Sequence, residues 1–432
     1  MNAQKANNTI EKVRQLQRKL YLAAKLNSKR KFHALYDKVY RKDILLEAWK
    51  RVRANGGVGG IDKLTIADVE EYGIDKFLQE IQQELRENRY HPKAVRRTYI
   101  PKGKGEERPL GIPVIKDRVV QMAVKIVIEP LFEADFKENS YGFRPKRSAH
   151  QALDRVREDT AKKGWWIVDA DIKGYFNNIN HEKLKLMVRQ RISDRRVLKM
   201  IWKWLKAGIM ENGVFAESEL GSPQGGVISP LLANIYLHYL DCKWEYHYKH
   251  LGKLIRYCDD FVVICRTKKE TEHALKAVKV VMSKLELELH PEKTKLVNMW
   301  DGKEGFDFLG FHHRRKKSET SKGQIFSETH QFPSNKAMQK MRDNIKKVFS
   351  SRSTLLLDVQ SMIKTLNPKI IGMRNYYGLK NAGKQLNKMD WYIIKKFTLW
   401  YNYKTQNKRR YSGISKVREV IYKNGLQRLA IQ

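Results

Sequence analysis

The sequence is poor in acidic residues, in cysteine and in long apolar runs. It has 47 Asp and Glu against 86 Lys and Arg, a net charge of +39 over 432 residues. Three cysteines form no CxxC pair, which argues against a disulfide framework and indicates a reducing, cytoplasmic location. No run approaches the ~18 apolar residues of a membrane-spanning helix, and residues 1–5 lack the apolar core of a signal peptide.

The excess of basic residues indicates a polyanionic partner. A net charge of +39 destabilises the compact state by self-repulsion unless bound anions neutralise it. Nucleic-acid phosphates are the obvious candidates, and their binding would depend strongly on salt. Hydrophobic residues make up 41% of the chain, which is enough for substantial cores, and the length favours several domains.

Two adjacent carboxylates, Asp259 and Asp260, lie between the apolar stretches 254–255 and 261–264. Asp favours turns, so a solvated turn is one interpretation. However, two-residue hairpin turns prefer Asn-Gly or Asp-Gly, and adjacent carboxylates repel each other unless cations compensate them. Asp171 follows a third apolar run at 165–168. Three carboxylates on neighbouring strand ends could hold two Mg²⁺ ions ~3.5–4 Å apart, a pattern typical of a templated polymerase palm.

Helical periodicity predicts a largely α-helical chain around these strands. Apolar spacing of three and four predicts helices within 8–53, 64–90, 117–132, 182–209, 229–239 and 334–403. The basic, glycine-rich segment 96–113 predicts a β-ribbon. In it, Lys102 and Arg108 could clamp a polyphosphate, although a solvated basic hairpin is the alternative.

Three further segments carry weaker patterns. The glycines of 55–60 predict a flexible connection between helices. The loop 221–226 precedes a helix, whose N-terminus favours anions. The polar, basic stretch 312–334 is typical of a linker or an exposed ribbon.

Seven motifs, in this order, resemble those of a bacterial group II intron-encoded reverse transcriptase and maturase. They are IPK at 100–102, RPLGIP at 108–113, YGFRP at 141–145, DIKGYF at 171–176, SPQGG at 222–226, YCDD at 257–260 and FLGF at 308–311. LNPK at 366–369 and NYYG at 375–378 resemble the family's thumb or maturase segment. Two departures stand out: Cys258 replaces a common alanine, and the HNH nuclease of many relatives is absent.

The resemblance implies an α+β, right-hand polymerase fold with an antiparallel palm sheet. It divides the chain into a helical, RNA-binding N-terminal extension (1–62), fingers with part of the palm (63–165), a palm with the catalytic aspartates (166–312) and helices of the thumb and maturase region (313–403). A short basic segment (404–432) would be, at most, a DNA-binding remnant.

It also implies a mechanism for RNA-directed DNA synthesis. Asp171, Asp259 and Asp260 would be the catalytic metal ligands, together with the Ile172 carbonyl, and the cofactor would be two Mg²⁺ ions with Mn²⁺ as a substitute. The residues that would bind the dNTP are Lys102, Arg108, Ile172, Tyr175 and Gln224. Phe308, Leu309 and Gly310 would position the primer end. Lys293, or else Lys295, would donate a proton to pyrophosphate. Tyr175 would exclude the 2′-hydroxyl of a ribonucleotide.

The implied partners are the group II intron RNA template, a DNA primer or target, and dNTPs, with no membrane, for a monomer or a homodimer in the bacterial cytoplasm. A maturase role, in which the chain binds its parent intron RNA to aid splicing and mobility, is also implied. Two alternatives stay open: a host-adopted reverse transcriptase for repair or defence, and an RNA-binding splicing factor with a vestigial polymerase site.

Overall fold

The chain forms a mixed arrangement of helices and sheets. The computed structural model describes residues 2–103, 106–162, 164–211, 214–216, 221, 225–319, 323, 325–407, 409 and 411–430. Its α-helices are α1 Asn2–Leu26, α2 Tyr36–Val39, α3 Lys42–Asn55, α4 Ile66–Tyr72, α5 Ile74–Arg86, α6 Ile115–Glu133, α7 Ala149–Ala161, α8 His181–Arg189, α9 Arg195–Leu205, α10 Ser229–Lys243, α11 Lys268–Lys284, α12 Asn335–Val348, α13 Val359–Tyr377, α14 Gly383–Lys404 and α15 Ile414–Lys423.

The strands form three sheets among the described residues. The strands are β1 Val95–Gly103, β2 Glu106–Ile112, β3 Trp166–Ala170, β4 Ile209–Glu211, β5 Val214–Ala216, β6 Lys253–Tyr257, β7 Asp260–Cys265, β8 Lys295–Asn298, β9 Gly305–Phe308, β10 Phe311–Glu319 and β11 Ile325–Pro333. The strand orders are β2-β1-β4-β5, β6-β7-β3-β8 and β11-β10-β9. The chain separates into two compact units, one of residues 1–152, 170–261 and 272–294, the other of 153–169, 262–271 and 295–432.

Helix α6 is the centre of the first unit. It is apolar on nearly every side and almost entirely buried, as expected for a core helix. Helices α1 and α3 pack on it. Val13, Leu20 and Ala24 of α1 are buried, whereas basic residues on its other faces are exposed. The segment 8–53, predicted to be helical, therefore contains two long helices, α1 and α3, with the short helix α2 between them.

The glycine-rich segment 55–60 is held tightly on one side and does not match the predicted flexible connection. The buried Arg118 guanidinium donates to the carbonyl oxygens of Val58 and Pro113. A Cβ built on Gly60 would lie 2.7 Å from the Val114 Cα. Glycine therefore permits a close approach between two backbones here.

The predicted basic ribbon is present in the first unit. Strands β1 and β2 pair antiparallel, with Arg108 opposite Ile100, and β4 joins β1 in parallel. The Arg108 side chain is exposed.

The second unit contains a long hairpin and a helical core. Strands β10 and β11 pair antiparallel along nine residues each, so the described strands of segment 312–334 form a ribbon. Helices α12 to α15 share one core. Val417, Ile421, Leu426 and Leu429 belong to it, so much of the segment 404–432 packs as part of the helical core. Over the described residues, no helix is both long and apolar enough to cross a membrane.

Candidate active site

Asp171 lies immediately after strand β3, at its carboxyl end. Its backbone carbonyl accepts a hydrogen bond from the His290 amide at 2.8 Å, and Ile172 forms an isolated bridge with Leu289. These bonds bring the segment around 290 alongside Asp171. As a result, the Lys293 Nζ lies 2.9 Å from the Asp171 Oδ2, and both side chains are partly exposed.

Asp259 lies in the turn between β6 and β7, and Asp260 is the first residue of β7, so both carboxylates are at the predicted hairpin tip. Both are partly buried. We call residues 258–260 the aspartate turn. Cys258 occupies the left-handed region with φ of 62°, which is uncommon for a residue with a Cβ. Burial, together with the neighbouring Asp259 carboxylate, raises the pKa of the Cys258 thiol well above its ordinary value. The folded structure therefore favours the neutral thiol over the thiolate.

The loop after Asp171 approaches the aspartate turn. Strands β3 and β7 are hydrogen-bonded neighbours in one sheet; Asp171 directly follows β3, and Asp260 is the first residue of β7. Burial chiefly raises the pKa of Tyr175, and the nearby Cys258 and Asp259 raise it further.

The position of Tyr175 does not suit the predicted contact with the sugar. Its side chain is 2% exposed, and its hydroxyl donates to the Ala233 carbonyl of α10 at 2.5 Å. A ring enclosed in this way has no surface to offer a nucleotide. The next residue, Phe176, is partly exposed and was not singled out from the sequence.

Comparison with known proteins decides the family. The model of the family described as reverse transcriptase (RNA-dependent DNA polymerase) matches residues 100–313, and that of the group II intron, maturase-specific domain matches residues 338–418. Protein YkfC of Escherichia coli is 37% identical over 307 residues, covering 63% of this chain and 79% of YkfC. The group II intron-encoded protein LtrA of Lactococcus lactis is 30% identical over 441 residues, covering 82% of this chain and 72% of LtrA.

This chain belongs to the group II intron-encoded reverse transcriptases. The fold is therefore the right-hand polymerase fold, and the chain is an RNA-directed DNA polymerase with a maturase domain, which confirms the fold and enzyme class expected from the motifs. Among solved structures, a chain of the partial Cas6-RT-Cas1–Cas2 complex is 26% identical, with 58% of this chain and 42% of that chain covered and a TM-score of 0.37.

The predicted primer turn of this reverse transcriptase is anchored by α13. Leu309 and Gly310 both have positive φ, of 52° and 79°. The Tyr376 hydroxyl donates to the Leu309 carbonyl at 2.9 Å, and a Cβ on Gly310 would lie 3.2 Å from the Tyr377 hydroxyl oxygen. Phe308 is buried at 1% exposure, so its side chain is not available to a ligand, whereas Leu309 is partly exposed.

Two of the predicted dNTP contacts fall partly or wholly outside the described residues. Gln224 lies outside them, and so does the side chain of Lys102, whose backbone belongs to β1. Arg108 is described and exposed on β2. Reverse transcriptases of this kind generally use divalent metal ions.

The groups predicted to bind the metal are of the right chemical kind for such an ion. Carboxylate oxygens, with a backbone carbonyl at Ile172, are the hard ligands that Mg²⁺ prefers. Within the residues that the structure describes, however, no three His, Cys, Asp or Glu side chains are grouped closely enough to hold a metal. The donor set fits Mg²⁺ chemically, and the Lys293 ammonium beside Asp171 is a cation already drawn to this carboxylate.

Proposed function

We propose that this reverse transcriptase extends a DNA primer on an RNA template with two Mg²⁺ ions held by Asp171, Asp259, Asp260 and the Ile172 carbonyl, and that Mn²⁺ can substitute. The bound ions would lower the pKa of the primer 3′-hydroxyl and neutralise the triphosphate. The observation that carries the proposal is that Asp171 and Asp260 flank hydrogen-bonded neighbouring strands.

Basic side chains would complete the site. Lys102 and Arg108 would neutralise the triphosphate, and Gln224 would contact the nucleotide near its ribose. Such groups act by positioning and by electrostatic stabilisation. Lys293 would donate a proton from Nζ to the departing pyrophosphate, with Lys295 as the substitute. Lys293 is favoured because its ammonium lies beside Asp171, whereas Lys295 is the first residue of β8.

We assign the sugar contact to Phe176 in place of Tyr175. Phe176 is the partly exposed aromatic ring of the loop that follows Asp171. A bulky ring beside the ribose excludes a 2′-hydroxyl by steric contact, whereas Tyr175 would support it from below through an edge-to-face contact at 5.3 Å. The backbone turn at 308–310 would position the primer end.

Neutralising both aspartates of the turn tests the polymerase site. Asp259→Asn with Asp260→Asn is expected to abolish extension of oligo(dT) on poly(rA) and to leave RNA binding intact. Asp75→Asn with Asp301→Asn removes the same charge from two exposed positions and serves as the control. Continued DNA synthesis by the Asp259–Asp260 variant would remove these carboxylates from the mechanism.

We further propose that the chain binds its parent intron RNA and assists its splicing. The maturase-specific domain at 338–418 supports this role, and so do exposed basic residues on α1 and α12. A splicing factor with a vestigial polymerase site would splice without synthesising DNA. A host-adopted enzyme would synthesise DNA without a cognate intron, so splicing and primer-extension assays on the same preparation separate the three possibilities.

A further inference from the structure

We infer that Arg256 is a positioning residue that holds the backbone of the aspartate turn. Arg256 lies in β6, three residues before Asp259, and its side chain is fully buried. The inference rests on the proposed function, since it takes Asp259 and Asp260 as the groups that carry the chemistry.

All five N–H donors of the Arg256 guanidinium are used. Nε and Nη2 donate to the two carboxylate oxygens of Asp241, itself 1% exposed. Nη1 donates to the Asn234 side chain at 3.1 Å and Nη2 to the Ser140 hydroxyl at 2.7 Å. The remaining donor of Nη1 binds the Cys258 carbonyl at 2.9 Å. A rigid planar fork therefore joins α10, the loop at 140 and the turn.

The hydrogen bond from Arg256 to the Cys258 carbonyl restrains the residue of the turn that has an unfavourable backbone conformation. Cys258 has a left-handed φ of 62°, a conformation that persists for a residue with a Cβ only when its surroundings enforce it. Its carbonyl belongs to the peptide that leads directly into Asp259. Fixing that carbonyl therefore fixes the direction in which the Asp259 side chain leaves the backbone.

The YGFRP loop provides a second restraint on the same turn. The Tyr141 amide donates to the Arg256 carbonyl at 2.9 Å, and the Asn234 side chain donates to the Gly142 carbonyl at 2.7 Å. A Cβ on Gly142 would lie 2.5 Å from the Cys258 backbone nitrogen. The glycine of this motif thus permits the loop to lie directly against the turn.

A purely structural role would make a different prediction. The ion pair of Arg256 with Asp241 is completely buried, and removing one partner of such a pair destabilises a fold wherever it lies. A positioning role adds a loss of turnover that exceeds the loss of folded protein. The effect should appear in kcat, because substrate binding relies on other residues.

The test compares Arg256→Lys with Arg191→Lys in the full chain. Lysine keeps the charge but cannot reproduce the five-donor fork. Arg191 is the matched control: it is 2% exposed, pairs with Asp135 and donates to the carbonyls of Ala24, Asn27 and Arg30. The folded fraction is measured by urea unfolding, and kcat and KM for dTTP on poly(rA)/oligo(dT) are expressed per folded molecule.

Arg256→Lys is expected to lower kcat about ten- to a hundredfold, as a small misplacement of reacting groups does. Its KM for dTTP should change by less than about threefold, and Arg191→Lys should keep the kcat of the unaltered chain. Equal kcat values for the two variants would overturn the inference.

Gly142→Ala tests the same point without disturbing a buried charge, and it decides alone if Arg256→Lys does not fold. Gly142 is not one of the glycines with a positive φ, so alanine fits its backbone conformation. The added Cβ would clash only with the backbone at Tyr257 and Cys258. A similar fall in kcat supports the inference, and an unchanged kcat overturns it. Asp259→Asn, assayed in parallel, separates the two claims. If Asp259→Asn stays active, the proposed function fails. If it is inactive while Arg256→Lys and Gly142→Ala stay fully active, only the positioning role fails.

Discussion

At the scale of single residues, burial decides which side chain of a motif can meet a substrate. Tyr175 and Phe176 are adjacent and both aromatic, yet the 3₁₀ turn Tyr175–Asn178 directs Tyr175 into the interior and leaves Phe176 partly exposed. The motif DIKGYF indicated Asp171 correctly as a strand-end carboxylate. It could not indicate which ring is enclosed, because that depends on the Ala233 carbonyl of a distant helix.

Phe176→Val is expected to relax the discrimination between dTTP and UTP by about ten- to a hundredfold in kcat/KM, because the smaller side chain leaves space for a 2′-hydroxyl. Tyr175→Phe should keep that discrimination and lose about 0.5–1.5 kcal/mol of stability with its hydrogen bond. Kinetics with each nucleotide on poly(rA)/oligo(dT) measure both. Relaxed selectivity in Tyr175→Phe alone would return the role to Tyr175.

Arg256 shows a second limit of sequence reasoning at this scale. A charged residue within the strand LIRY is an available clue, since a basic side chain in an otherwise apolar strand needs a partner. Its partner, Asp241, is separated from it by a helix end and a turn, and only the fold brings them together. The sequence could therefore indicate that Arg256 is unusual but not what it holds.

At the scale of elements, a buried histidine packs between neighbouring strands: His313 of β10 is paired with Phe306 of β9. His313 is 0% exposed and stacks on Phe306 at 4.7 Å. Burial lowers the pKa of His313 from 6.5 to about 3. The folded state thus favours the neutral ring, so this stability is complete above pH 6.5 and is lost as the pH falls from 6.5 towards 3.

His313→Asn is expected to reduce the acid sensitivity of unfolding. Between pH 7.5 and pH 5.5 the unaltered chain should lose about 1 kcal/mol more stability than the variant, because the unfolded histidine gains a proton that the folded one excludes. Urea unfolding at the two pH values measures the difference. Identical pH dependence in the two chains would show that His313 is not held neutral.

The turn at 309–310 should be sensitive to its glycine. Gly310→Ala introduces a side chain at φ of 79°, beside the Tyr377 hydroxyl, and is expected to cost about 1–2 kcal/mol locally. We expect a raised KM for primer–template with a smaller change in kcat. Gly372→Ala is the control, because its Cβ would meet nothing within 4 Å. An unaltered KM in Gly310→Ala would show that this turn does not contribute to primer binding.

The exposed basic face of α12 should bind RNA phosphates. Lys340 and Lys347 are exposed, and replacing both by glutamine should lower the slope of log affinity against log salt by about 1 to 2. Lys276→Gln with Lys279→Gln on α11, also exposed, is the charge-matched control. Filter binding of intron RNA across a salt series measures the slopes. Equal slopes for both variants would show that α12 has no specific role in binding RNA phosphates.

Helical periodicity predicted most elements of this chain, and its failures occur where packing overrides pattern. The segment 404–432 looked like a basic appendage, yet Val417 and Ile421, spaced by four, carry it into the core of α13 and α14. That spacing was readable in the sequence. The hydrogen bond from Arg118 to segment 55–60 could not be predicted from the sequence, because it joins residues far apart in the chain. The DNA-binding role of 404–432 stays a prediction.

At the scale of the whole molecule, basic residues attract nucleic acid, whereas the proposed reaction depends on a few acidic residues. The net charge of +39 attracts any nucleic acid, independently of sequence. The proposed reaction depends instead on the carboxylates of Asp171, Asp259 and Asp260. The account's central claim is therefore that Asp171 and the turn at 259–260 serve the same metal ions.

Localised cleavage by bound Fe²⁺ tests this claim most directly. Fe²⁺ that replaces Mg²⁺ generates hydroxyl radicals, which cut the polypeptide next to the ion, and the fragments can be sized by mass spectrometry. We predict cuts near residue 171 and near residues 259–260, both lost in Asp259→Asn with Asp260→Asn and both kept in Asp75→Asn with Asp301→Asn. Cleavage near 171 that persists in the Asp259–Asp260 variant, or an absence of cuts at either segment, would contradict the account.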